Sequence, residues 1–208
     1  MEQEILKKST SQIIQESLSK AMSYEAYRAL TANLVSKGAS TAAEQSDDLA
    51  HYTLINEQRM KRLDKTLKID PASEALITAV QRKTTWLVLT ESWCGDAAQS
   101  LPVMNKIADL NSNLTLKLVL RDENLPLMER FLTNGGMGIP KLIAIDEQSG
   151  KLIGEWGSRP FQAQKMVDDF KEEHGQFTPE FKEDLQQWYN KDKGKNTLQE
   201  LVALLTLE

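Results

Sequence analysis

Cys94 is the chain's only cysteine, and it lies in Trp93-Cys94-Gly95-Asp96-Ala97, just past the apolar run from Thr85 to Thr90. A dithiol redox site needs a second sulfur three residues on, within one helical turn of the first, and this chain has Ala97 there. Any exchange at Cys94 therefore proceeds through a mixed disulfide that an outside thiol resolves, supplied by glutathione, another protein or a second copy of the chain. A cysteine that opens a helix faces unpaired N–H groups and the positive end of the helix dipole, which favours thiolate over thiol. Asp96, in the same first turn, repels a thiolate. Each effect is worth ~0.3–2 kcal/mol, which leaves the pKa on either side of neutrality. Two readings of Cys94 stay open at this level: a monothiol nucleophile, or an unreactive thiol on a binding scaffold. Asp96 is read likewise, as a local acid or base or as a helix-start carboxylate. A metal is not implied, because His51 and His174 lie far off in sequence and no zinc-ligand spacing is present.

The elements that must position this sulfur read as a helical first third followed by an α/β unit. Ile5, Leu6, Ile13, Ile14 and Leu18 recur loosely at helical spacing; Ser23 caps a helix that Gly38 stops. Ser46 caps a long helix whose face is read as Leu49, Tyr52, Leu63 and Leu67, and Asp70-Pro71 restarts the chain into a helix over 72–82. Then come strand 85–91, helix 94–109, strand 114–120 and a short helix near 125–133. After the Asn134-Gly135-Gly136 break, strand 141–145, a turn and strand 151–156 read as a hairpin, and a helix starts near Pro160. Helices at about 179–190 and 197–206 end the chain. No separate strand is legible before residue 84. Three regions follow: a helical extension over 1–70, the α/β domain over 71–176 and C-terminal helices over 177–208.

At 208 residues and 40% hydrophobic content, the chain is sized for one core with appendages. A formal charge of −5 argues against general nucleic-acid binding, which wants a basic face. The basic run Arg59, Lys61, Arg62, Lys65 and Lys68 is read as a solvated helix face, interleaved with Glu57 and Asp64. No stretch approaches the ~20 apolar residues of a membrane span, and the N-terminus lacks a signal-peptide core. The expectation is a cytoplasmic monomer that neither spans a membrane nor binds nucleic acid.

Three landmarks together resemble the thioredoxin-like superfamily: Trp93 to Ala97 opening a helix, Pro102 five residues beyond, and Ile139-Pro140 before a strand. The chain is similar to a bacterial branch with a helical N-terminal extension, in which Arg121 to Asn124 and Trp156 to Pro160 also match. Two departures stand out: Ala97 replaces the second cysteine, and Val88 occupies the place of a buried carboxylate. The resemblance implies an α/β fold with a central mixed sheet flanked by helices, and a cis bond at Ile139-Pro140 exposing a backbone edge beside the sulfur. It assigns Cys94 as the catalytic group. Trp93, Gly95, Asp96, Ile139 and Pro140 are the substrate contacts; Arg121 joins them by its place at the carboxyl end of a strand, where α/β sheets set their ligands, and is read either as a receptor for an anion such as a glutathione carboxylate or as a solvated turn group. The partners implied are protein thiols or disulfides, or glutathione, with no further cofactor. The rival reading keeps the peptide-facing surface around Trp93, Ile139 and Pro140 without redox chemistry. A third, glutathione-linked cluster carriage by a dimer, is open to monothiol proteins of this fold.

Overall fold

The computed structural model describes residues 8–207. Ile5 and Leu6, read as part of the first helix, lie outside them. Four helices precede the sheet: α1 (Thr10–Lys20), α2 (Tyr24–Ser36), α3 (Asp47–Thr66) and α4 (Pro71–Ala79). Each starts where a side chain can satisfy its first N–H groups: Ser9, Ser23, Ser46 and Asp70 all accept a backbone N–H from the first turn. Gly38, at φ +62, ends the α2 turn as its position implied.

The α/β unit runs β1 (Thr84–Thr90), α5 (Gly95–Ala108), β2 (Leu114–Leu120), α6 (Leu125–Met128), β3 (Lys141–Asp146), β4 (Leu152–Gly157) and α7 (Phe161–His174). Helices α8 (Pro179–Asp192) and α9 (Lys195–Leu205) close the chain. The sheet order is β2-β1-β3-β4, parallel between β1 and β2 and antiparallel in the other two pairs. This is the expected mixed sheet flanked by helices. Strand β1 is central and buried along its whole length, which is why its sequence is continuously apolar or threonine instead of alternating.

Among the described residues, no strand lies on the far side of β2. Instead Met22, between α1 and α2, makes one antiparallel bridge there, its N–H and carbonyl both exchanged with those of Leu118 at 2.9 Å. The extension thus covers an edge that would otherwise offer a row of unpaired groups. The short helix stops at Met128, not near residue 133.

Helix α3 corrects one expectation. Tyr52 is exposed, and the buried face is Thr53, Asn56, Met60 and Leu63. Its first half is polar because it packs on polar backbone: the Asn56 side-chain amide donates to the Ser92 carbonyl at 2.9 Å, and the Thr53 and Ser92 hydroxyls pair at 2.9 Å. From the other side of Ser92, its N–H donates to the Thr41 hydroxyl at 2.9 Å and its own hydroxyl accepts the Thr41 N–H at 3.0 Å. Thr41 also hydrogen-bonds the fully buried Glu91 carboxylate, whose other oxygen accepts the Asp122 N–H at 3.0 Å.

Replacing Asn56 with Ala strands the buried Ser92 carbonyl. Urea denaturation of Asn56→Ala is expected to show a loss of about 1–3 kcal/mol, and an unchanged midpoint would mean that Ser92 does not depend on the extension.

Candidate functional site

Cys94 is the N-cap of α5: its sulfur accepts the Ala97 N–H at 3.4 Å, as a capping hydroxyl would. On its other side the thiol donates to the Ile139 carbonyl oxygen at 3.2 Å. The Ile139–Pro140 peptide is cis, and both residues are buried. The backbone edge expected to lie open beside the sulfur is therefore already engaged by it. Behind this edge Gly157, at φ +125, passes so close that a Cβ there would sit 2.1 Å from the Pro140 carbonyl oxygen.

A cleft of about 520 Å³ opens at the sulfur. Trp93, Cys94, Gly95, Asp96, Arg121 and Ile139 all line it, so six of the seven residues read from sequence meet there; Pro140 lies behind Ile139 and does not. The Thr133 to Gly138 loop forms a further wall, folded by paired backbone bonds between Thr133 and Gly136 at 2.9 Å.

Arg121 is not a free anion receptor. Its guanidinium lies 4.9 Å from the Trp93 ring centroid, its Nε donates to Asp122 at 2.8 Å, and its Nη1 donates to the Met137 carbonyl at 3.4 Å. It clamps the loop against the half-buried Trp93.

Asp96 is held by two residues far from it in sequence. Arg159, from the β4–α7 connection, pairs with one carboxylate oxygen at 2.6 Å, and the Tyr189 hydroxyl of α8 donates to the other at 2.8 Å. Burial pushes the Asp96 carboxyl up, while Arg159 and then Tyr189 oppose that rise. Arg59 also reaches the site from α3: a Cβ on Gly95 would lie 3.3 Å from its Nη1. The basic run was read as one solvated face, and Arg59 departs from it.

These surroundings decide the state of the thiol. Cys94 is 8% exposed. Burial, and secondly the Asp96 charge, push its pKa from 9.0 up to about 12, against the opposing pull of the Ala97 N–H and Arg159. The helix start does not prevail. At pH 7 the protonated thiol is the resting form.

Among the described residues, no group of three or more His, Cys, Asp or Glu side chains could hold a metal ion, and no helix is long and apolar enough to cross a membrane.

Compared with known proteins, residues 42–171 match the family model described as Thioredoxin. A 1.5 Å crystal structure of a protein of unknown function from Pseudomonas aeruginosa is similar with a TM-score of 0.59 and 18% identity, covering 88% of this chain and 97% of that one. An HIV epitope-scaffold is similar with a TM-score of 0.57 and 18% identity, covering 88% and 98% respectively. At that identity these likenesses concern the fold alone. No curated protein matches the chain.

The raised thiol pKa gives a pH profile. The rate of Cys94 alkylation by iodoacetamide is expected to climb about tenfold per pH unit from 7 to 10 without a plateau. Asp96→Asn removes the second cause of the shift and leaves Arg159 uncompensated, so its rate at pH 8 should exceed wild type by about tenfold. A plateau near pH 8.5 in wild type would mean that burial does not control the sulfur.

Proposed function

Because the chain belongs to the thioredoxin family, we propose that it carries out monothiol thiol–disulfide exchange through Cys94, with the second thiol coming from outside the chain. One observation carries this reading: the chain's single thiol lines a cleft, 3.2 Å from the Ile139 carbonyl, with no second cysteine to complete a dithiol cycle.

In the first step Cys94 gives up its proton to solvent and its sulfur attacks one sulfur of a substrate disulfide. A Cys94–substrate S–S bond forms as the substrate's own S–S bond breaks, and the departing thiolate takes up a proton. An external thiol, glutathione or a protein cysteine, then attacks the mixed disulfide and returns Cys94 to the thiol. The chain is neither oxidised nor reduced over the cycle. Trp93 and Ile139 flank the sulfur, and the Thr133 to Gly138 loop limits what can approach it.

The protonated ground state makes this a slow exchanger toward small reagents at neutral pH. Substrates that fill the cleft gain from proximity what the sulfur lacks in thiolate fraction. The reading places the protein in the cytoplasm, where a free thiol persists and glutathione is abundant.

Incubation with oxidised glutathione between pH 7 and 9, followed by mass spectrometry, is expected to give a single glutathione adduct. It should form faster as pH rises, reverse on adding reduced glutathione, and be absent from Cys94→Ser. A wild-type chain that forms no adduct at pH 9 would sink the exchange reading and leave the cleft as a binding surface.

A further inference from the structure

Beside the cysteine cleft lies a second one of about 330 Å³, and the two share Trp93, Gly95, Asp96 and Arg159 as a common wall. The second cleft is built by the two helical regions outside the α/β unit. Leu49, Tyr52 and Arg59 come from α3, and Phe177, Lys182 and Leu185 from α8 and the segment before it. Its size falls in the range of small-molecule sites, roughly 300–1,000 Å³, and its walls are largely aromatic and aliphatic, as such sites require.

The charges in it do not balance. Arg59, Arg159 and Lys182 are cations; Asp96 is the single carboxylate. Both Asp96 oxygens are already taken, one by Arg159 at 2.6 Å and one by the Tyr189 hydroxyl at 2.8 Å. Arg59 is half-buried, donates to the neutral Asn56 side-chain oxygen at 3.0 Å, and has no carboxylate oxygen within 4.0 Å among the described residues. Burial and then the neighbouring Arg62 work against its charge, outweighing the support of Asp96 and Tyr52. Taking a guanidinium partly out of water is unfavourable when the nearest carboxylate, Asp96, has both oxygens paired elsewhere, and an anion entering this cleft would relieve it.

We propose that the second cleft binds a small organic anion with a flat apolar body, an aromatic carboxylate or a close chemical relative. The carboxylate pairs with Arg59, and the body lies among Tyr52, Phe177 and Leu185. A polyanion does not fit, since the chain as a whole carries −5 and the local excess is confined to one cleft. The site does not depend on exchange at Cys94, so it can be tested in protein that lacks the sulfur.

The test is NMR titration of the full-length Cys94→Ser chain with 2-naphthoate and with its neutral isostere 2-naphthamide. Saturable 2-naphthoate shifts are expected at Arg59, Gly95 and Leu185, with 2-naphthamide weaker by about tenfold or more. Arg59→Gln should lose the preference for the anion, and Arg59→Lys should keep part of it. Equal binding of acid and amide, shifts confined to another face, or no binding of 2-naphthoate would overturn the proposal. The acid–amide comparison uses no Arg59 variant, so it decides even if Arg59→Gln fails to fold.

Discussion

The site depends on how Ser92 is buried. Between the end of β1 and the start of α5 the chain must leave the sheet, turn, and present a sulfur as a helix cap, through two residues that are almost wholly inaccessible to water. The Ser92 N–H, carbonyl and hydroxyl all find partners on Thr41, Thr53 and Asn56, and the Glu91 carboxylate finds one on Thr41. Each of these buried groups left unpaired would cost about 1–3 kcal/mol, comparable with a sizeable part of a domain's net stability. The extension is thus part of the scaffold of the candidate site. It fixes the turn from which Cys94 projects, and through Arg59 it reaches the next residue, Gly95, from the same helix.

The thiol's state is a contest between two effects of different size. A helix N-terminus stabilises a charge at its cap by at most ~2 kcal/mol in favourable, partly buried geometry. A rise from 9.0 to about 12 corresponds to roughly 4 kcal/mol in the opposite sense. Burial wins because the sulfur is pressed between the first turn of α5 and the Ile139 carbonyl, an acceptor that holds the proton in place. Asp96 adds to the same side. The cap position favours thiolate only where water or a cation can reach the sulfur, and here the fold supplies little of either.

Much of the architecture was legible because its signals are local. Asp70-Pro71 opens a helix by its own chemistry, Gly38 closes one by its positive φ, and the run Thr85 to Thr90 shows a central strand in its unbroken apolar character. The landmarks around Cys94 converge for the same reason, since Trp93 to Asp96 are consecutive and the parallel β1–β2 pair brings Arg121 to the same sheet end. The face of α3 was misread because its buried positions include Thr53 and Asn56, which match the hydroxyl and the carbonyl of Ser92 some forty residues away. Periodicity finds apolar stripes, and a polar stripe that is buried has no periodic signature. Tyr189 gave no signal at all: its link to Asp96 spans 93 residues and exists only once α8 has docked.

Docking of that helix ties the far end of the chain to the chemistry at Cys94. Asp96 neutralises Arg159, accepts the Tyr189 hydroxyl and lifts the neighbouring thiol, all from one carboxylate. These roles are not separable, since a carboxylate that lost Arg159 would be harder to keep ionised in its buried place. The pair also forms part of the wall between the two clefts, so the group that restrains the sulfur on one side meets Arg59 and the aromatic lining on the other. Burial sets most of the thiol's raised pKa, and this ion pair adds the electrostatic part, joining Asp96 of the first turn of α5 to Arg159 from beyond β4.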